Sequence, residues 1–361
     1  MKKLFFIAAF ASAALVGCTK NEVAPSALQQ DEITFLAPVV GAQTKVNGLI
    51  GSTYNTGESF DVWCVHNAGN ITEWTGAVYF DDVKAEYDAS LGGWALVDKY
   101  YWPSTGKLSF VALSPSISNS TSYADATGFV IDNWSQGADQ DAIVDLMYSD
   151  EVLNKVKAEY AADGEDKAGD TNTTYIYKGV DIKFNHALSY LVFKVKTTGD
   201  YSATTKFRLN SITLSGVYTT GDFQQMTNAS TPNTDPWTED ETGATGTYVA
   251  YTGGTLNFGN SEVNVPETAT KQIILLPQAL KADQQKITVN YEISTDDKAI
   301  DDPSKVWIAQ TPEAVDLTNL TVDEWEMGKK YIYTITIGMN EIIFDPAVSA
   351  WDTATDAPVS F

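Results

Sequence analysis

Two histidines, two cysteines, nine tryptophans and 47 acidic side chains are the residues of this 361-residue chain that could do chemistry. Nucleophilic hydrolysis needs an imidazole beside a serine or cysteine, with a carboxylate to orient it. His66 closes the apolar run Phe60 to His66, and His186 lies in FNHALSYLVF. Neither stands near a G-x-S-x-G elbow, so both read as sheet or loop residues. Paired carboxylates for glycoside hydrolysis are defined by a separation in space, and an abundance of acids specifies none. Asp139, Asp141 and Asp145, and Asp296, Asp297, Asp301 and Asp302, place hard oxygens close in sequence. Neither group follows the EF-hand pattern, and both read as solvated acidic loops. Two cysteines and two histidines fall short of a four-ligand zinc site or a disulfide framework. The expectation is a non-enzyme with no catalytic residue, metal or cofactor. Among the tryptophans, Trp63, Trp94, Trp102 and Trp307 lie in apolar contexts and read as core. Trp134 and Trp237 lie in loops and read as the exposed pair, candidates for stacking on a sugar.

Cys18 has a different chemistry. Lys2 and Lys3 precede an apolar stretch, Leu4 to Ala14, too short to span a bilayer as a permanent helix. Leu15-Val16-Gly17-Cys18 then resembles the bacterial lipobox, in which the thiol is acylated and the chain is cut before it. That predicts a signal peptide over 1–17, cleavage between Gly17 and Cys18, and a lipid anchor on Cys18 that holds the protein to the outer membrane. Removing Lys2 and Lys3 leaves 21 basic against 47 acidic residues, a charge of −26. Arg208 is the only arginine in the chain, and such an acidic balance excludes nucleic acid as a partner.

These residues need elements to position them. Residues 18–31 form a polar tether without periodic apolar pattern. From Ile33 onward, short runs rich in Val, Ile, Thr, Tyr and Phe are punctuated about every ten residues by Gly, Asn, Asp and Pro, an all-β signature. Strands are expected at Ile33 to Val40, Phe60 to His66, Lys107 to Leu113, Tyr190 to Thr197, Ser211 to Val217, Gln272 to Leu276, Lys286 to Ile293 and Lys330 to Ile337. In Lys286 to Ile293 the residues Ile287, Val289, Tyr291 and Ile293 share one face, and Leu191, Phe193 and Val195 do so in the 190s. Such alternation predicts antiparallel sandwich strands. Only Ser149 to Ala162 reads as a helix, with Val152, Val156 and Tyr160 spaced by four. The polar stretch 163–174 suggests a boundary between an N-terminal sandwich domain, 32–178, and a C-terminal one, 179–361.

The order of blocks points further. The lipobox is followed by ITFLAPVVGAQTKVNG at 33–48, YYWPSTGKLSFVALSP at 100–115 and FNHALSYLVFKVK at 184–196. SITLSGVYTTGDF at 211–223, ILLPQ at 274–278 and WEMGKKYIYTITIG at 325–338 complete the series. Together they resemble the fimbrillin-like lipoproteins of Bacteroidales, the shaft, tip or anchor subunits of type V pili. The resemblance covers nearly the whole mature chain. It implies two antiparallel β-sandwich domains of transthyretin-like, Greek-key topology in tandem. It also implies an outer-membrane or fimbrial location, other pilin subunits as partners, and adhesion to a host or bacterial surface ligand. In this family subunits polymerise by strand exchange: an early strand is removed by a surface protease and a strand of the next subunit fills the groove.

Carried onto this chain, the removable strand is Ile33 to Val40, with Ile33, Phe35, Ala37 and Val39 alternating along it. The family commonly has arginine at the cleavage point; here Lys45 stands there, so the cut is expected between Lys45 and Val46, or the subunit stays uncut. The donor is expected within 339–361, which holds an apolar strand around Ile342 to Phe344 and a terminal segment with Val359 and Phe361. The other reading is that both complete the second domain's own sheet. A surface glycan-binding lipoprotein, with Trp134 and Trp237 at its site, is the alternative to a pilus subunit.

Overall fold

The computed structural model describes residues 32–40, 54–117, 121–124, 128–136, 143–156, 179–225, 235–265, 273–310, 314–339 and 341–351. The first half holds β1 (Thr34–Phe35), β2 (Val39–Val40), β3 (Phe60–Asn67), β4 (Ala77–Asp88), β5 (Gly93–Leu96), β6 (Lys107–Ser114), β7 (Thr121–Ala124), β8 (Gly128–Ser135), β9 (Met147–Ser149), β10 (Val152–Lys155) and β11 (Lys183–His186). The second holds β12 (Ser189–Thr197), β13 (Lys206–Tyr218), β14 (Thr220–Gln225), β15 (Trp237–Glu239), β16 (Thr245–Phe258), β17 (Val263–Asn264) and β18 (Ile273–Leu275). It continues with β19 (Gln278–Ala279), β20 (Lys286–Ser294), β21 (Ile308–Gln310), β22 (Val315–Asp316), β23 (Glu324–Trp325), β24 (Lys329–Ile337) and β25 (Ile342–Ala350). Among the described residues the only helical element is a single 3₁₀ turn at Leu317–Asn319, capped by Asp316. The all-β expectation holds.

The expected helix does not. Met147–Ser149 and Val152–Lys155 are strands, and residues 157–162 lie outside the described residues. Val152 sits opposite Phe110 beside a bulge, and Asn154, at φ 62, donates its backbone N–H to Ser109 Oγ at 3.0 Å. Pairing to β6 overrides a spacing of four that only local propensity supported.

In the first sheet, β5, β4, β3, β6, β9 and β11 follow one another by antiparallel pairing. The segment 32–40 joins its two ends. β1 pairs antiparallel with β5, and β2 pairs parallel with β11, so the sheet closes into a ring. Inside lie Phe60, Val62, Cys64, Leu108, Phe110, Ala112 and Phe184, with Phe35 among them. β3 and β6 are buried on both faces, because Trp63, Val65, Val111 and Leu113 point outward into a second core. That second core begins on the sheet β15-β14-β8-β7, where the ring of Trp63 meets Phe129 edge-on at 5.4 Å.

Strand pairing also crosses the line at 178/179. β8 pairs with β14, and β11, which follows that line, completes the first sheet. Beyond it two five-stranded sheets face one core, one built on β12 and β24, the other on β16, β13 and β20. β12 corrects an expectation: it runs parallel to β24 over eight residue pairs, from Tyr190↔Lys330 to Thr197↔Ile337. Alternation reports which faces are buried, and the direction of a neighbour leaves no trace in it. The ILLPQ block has a local cause. Buried Gln278 accepts the Tyr218 N–H at 2.9 Å, and donates to the carbonyls of Tyr218 and Leu276 at 3.2 and 2.9 Å.

Candidate functional site

The residues that close the first sheet form the candidate site. Ile33 and Phe35 are fully buried, as an apolar strand facing a core should be. Phe35 meets Phe60 at 5.6 Å and Phe110 at 5.9 Å, both edge-on, an arrangement that aligns ring edge with ring face. After Phe35 the strand breaks, and the facing pattern shifts: Leu36 is half-buried, Ala37 and Val39 are exposed, Pro38 and Val40 are buried. Pro38 has no N–H to give a ladder, which fits a break at that point. Thus of the four alternating positions expected to face the groove, Ile33 and Phe35 do, while Ala37 and Val39 (47 % exposed) do not.

Both edges of the segment are bonded. On one side Ile33 N–H donates to the Tyr100 carbonyl at 2.8 Å, and Phe35 lies opposite Trp94. On the other side Val180 N–H donates to Thr34 O at 2.8 Å, Leu36 N–H to Val180 O at 3.1 Å, and Val39 N–H to Ile182 O at 2.9 Å. Lys99 Nζ reaches Glu32 Oε2 at 2.9 Å at the entry. Gly179 is required beside it: a Cβ there would stand 2.4 Å from the Phe35 carbonyl carbon and 2.6 Å from Leu36 N.

Tyr54 is a part of the site that no sequence motif marked. Its ring stacks on Phe184 at 5.7 Å and meets Phe60 and Trp94 edge-on, and its hydroxyl lies 2.6 Å from Ser114 Oγ. Burial pushes its phenol well above the ordinary range, so it stays a neutral hydrogen-bonding group at any physiological pH. Without residues 32–40, the floor left open would consist of Phe60, Trp94, Phe110 and Phe184, bordered by two strand edges with unpaired N–H and C=O groups.

The remaining candidate residues fall elsewhere. Gly17, Cys18, Lys45, Val46, Val359 and Phe361 lie outside the described residues. Ile342 to Phe344 belongs to β25, paired antiparallel with β24 at the edge of the sheet built on β12 and β24. Cys64 is a free, buried thiol, and burial raises its pKa well above the usual range. His66 Nε2 lies 2.9 Å from the Thr105 carbonyl. His186 Nδ1 lies 2.9 Å from Asp145 Oδ2, and its ring stacks on Trp351 at 4.1 Å with planes 3° apart. This His–Asp pair, 41 residues apart, was invisible in sequence; sealed under an indole, it has no face open to a substrate. Asp296 is engaged by Lys305 Nζ at 2.7 Å and by Val306 N–H at 2.7 Å, which hold its carboxyl down at about 2. Among the described residues no group of three or more His, Cys, Asp or Glu is placed to hold a metal, and no helix is long and apolar enough to cross a membrane. Trp134 and Trp237 are buried, at 8 % and 4 %, which removes them as sugar-stacking residues; Trp237 Nε1 donates to the Ala187 carbonyl inside the core.

The chain resembles known proteins over most of its length. Superposition on a fimbrial protein from Bacteroides vulgatus covers 89 % of this chain and 99 % of that one, with a TM-score of 0.54 at 15 % identity. A candidate cell adhesion protein from Bacteroides uniformis gives the same coverage, with a TM-score of 0.48 at 18 % identity. No curated protein matches the chain. The model of a family described as fimbrillin-like matches residues 44–351. With that match covering β3 through β25, most of the chain, the chain belongs to the fimbrillin-like family.

Proposed function

We propose that the protein is a structural subunit of a type V-like surface pilus, exported as a lipoprotein on Cys18 and assembled by strand exchange in the service of adhesion. The observation that carries the reading is the closing segment: residues 32–40 fill a groove between two strand edges and plug the ring with Ile33 and Phe35. A segment whose contacts are all lateral can be cut from its chain and replaced by another of like pattern, as in other strand-addition systems. The cut falls between Lys45 and Val46, in the stretch joining Val40 to Tyr54. A lysine there calls for a lysine-accepting protease; a chain left uncut keeps its lipid and acts as anchor or cap. Membership of the fimbrillin-like family and the likeness to a fimbrial protein support the same role.

The second half of the chain offers two donors. The tail supplies Val359 and Phe361 at a spacing of two. Residues 342–349, IIFDPAVS, repeat the pattern of 33–40, ITFLAPVV: Ile342 and Phe344 match Ile33 and Phe35, and Val348 matches Val39. The decisive experiment is N-terminal sequencing of filaments sheared from the cell surface. The expected first residue is Val46, with Lys45→Gln blocking assembly and Cys18→Ser abolishing membrane attachment of the uncut chain. Filaments that begin at Cys18 would refute removal of the strand.

A further inference from the structure

Tryptophans are costly to leave in water, and eight of the nine here are buried; Trp307 is the one left half-exposed. It stands two residues before Ala309, which pairs with Glu292, itself opposite Arg208. The guanidinium of Arg208, the chain's only arginine, lies 4.3 Å from the centroid of the Trp307 ring and is ion-paired to Glu292. Lys305 Nζ, fully buried and tied to Asp296, lies 5.8 Å from the same ring. Cation contacts of this kind fix the indole on the sheet without burying it.

The outer face of that sheet begins beside it. On β13 the side chains of Phe207, Leu209, Ile212 and Leu214 enter the core, while Ser211, Thr213 and Ser215 point the other way and stay partly exposed. Across the registers Ser211 neighbours Thr252 and Asn290, and Thr213 neighbours Thr288. Asn290 Nδ2 donates to Ser211 Oγ at 2.9 Å, which holds the amide flat on the sheet. These two central rows carry no ionisable group in a chain of net charge −24. The two rows are therefore uncharged and rich in hydroxyl and amide groups, with Val249 opposite Thr213, and the Arg208–Glu292 ion pair stands between them and the aromatic ring at one end. Protein partners need an extended apolar centre, which the single Val249 in these rows does not make, and a polyanion would meet the acidic remainder of the surface. A chain of neutral sugars fits both parts, its hydroxyls on the polar rows and one apolar sugar face on the indole.

We propose that the outer face of this sheet, from Trp307 across Ser211, Thr213, Thr288 and Asn290, is a binding site for a neutral polysaccharide. The site belongs to the single subunit and needs no assembly, so its failure leaves the pilus reading untouched. The test is native affinity electrophoresis of the purified chain in gels containing dextran, xylan or mannan, with polygalacturonate as the charged control. Retardation is expected in at least one neutral polymer and not in polygalacturonate. Trp307→Ala should need about tenfold more polymer for the same retardation, the loss of one stacking contact, and Trp307→Phe should fall between. Thr288→Glu, on the exposed face, serves as a second variant and should also lose binding while melting like the parent. No retardation in any neutral polymer, retardation by polygalacturonate alone, or equal retardation of the parent and both disruptive variants would overturn the proposal.

Discussion

Phe35→Ala in a chain cut behind its first strand is the most direct probe of the closing segment. A site-specific protease sequence placed between Val40 and Tyr54 lets the folded chain be cut in place, leaving the segment held by lateral contacts alone. Those contacts are the ladder hydrogen bonds on two edges and the buried side chains of Ile33 and Phe35. The hydrogen bonds contribute about 1 kcal/mol each and the ordering of the segment opposes them at a similar cost per residue, so the apolar side chains decide the balance. Truncating a fully buried phenylalanine costs about 3–5 kcal/mol, which weakens retention of the segment by about 10²- to 4 × 10³-fold. Anisotropy of a dye on the segment after cutting and dilution measures this. The parent should hold its segment and the variant release it, with the denaturation midpoint falling in the uncut variant as well. Equal retention, or a loss below about tenfold, would mean that Phe35 is not the plug its three-ring cluster with Phe60 and Phe110 indicates.

Gly179→Ala sets a Cβ against the Phe35–Leu36 backbone and should cost about 1–3 kcal/mol, seen as early proteolysis of residues 32–40. Burial, with Asp61 and Asp81 nearby, pushes the Asp82 carboxyl up to about 6. A carboxyl that binds its proton more tightly folded than unfolded costs stability as pH rises from about 4 through 6, and the full penalty stands near neutrality. Asp82→Asn should therefore stabilise the fold near neutral pH more than in mild acid, by under about 1 kcal/mol for so exposed a residue, read as a higher melting temperature, and its φ of 53 suits asparagine. A larger gain in acid than at neutrality would contradict that sign.

The strands were legible where one face is wet. Ile287, Val289, Tyr291 and Ile293 alternate in sequence and are buried together in β20, since burial of one face imposes a period of two. Partner direction is not legible in alternation, which predicts antiparallel strands throughout, whereas β12 runs parallel to β24. The plug residues Ile33 and Phe35 could be read from sequence, and the shift of facing after them was signalled only by Pro38. Trp134 and Trp237 misled because a polar stretch in sequence can still fold an indole inward, whereas Trp307, in an apolar run, ended near the sheet's rim. His186 and Asp145, Tyr54 and Phe184, Gly179 and Phe35 meet only through the ring's long-range closure, and no local pattern encodes a contact of that kind.

If subunits assemble by the strand exchange proposed above, the ring also constrains whatever would replace its first strand. One wall is antiparallel to the segment and the other parallel, and the two ladders have different hydrogen-bond geometry, so an incoming strand keeps both only by running in the same direction. It must bring apolar side chains to the positions of Ile33 and Phe35, then shift its facing so that the places of Pro38 and Val40 turn inward. β25 meets the first demand with Ile342 and Phe344, and Ala347 and Ser349 then occupy the inward places without the bulk of Pro38 and Val40. To donate, however, it must leave β24, with which it pairs from Lys329↔Ala350 to Ile337↔Ile342, so part of what the groove returns is spent on that ladder. The terminal pair Val359 and Phe361 lies outside the described residues and is the other candidate donor. A disulfide between Thr336→Cys and Ile343→Cys, directly opposite across β24 and β25 and both partly exposed, separates the two. If β25 donates, the oxidised variant stays monomeric and reduction restores polymerisation. If the oxidised variant polymerises as well as the parent, β25 is excluded as donor and the terminal pair is left to carry the exchange.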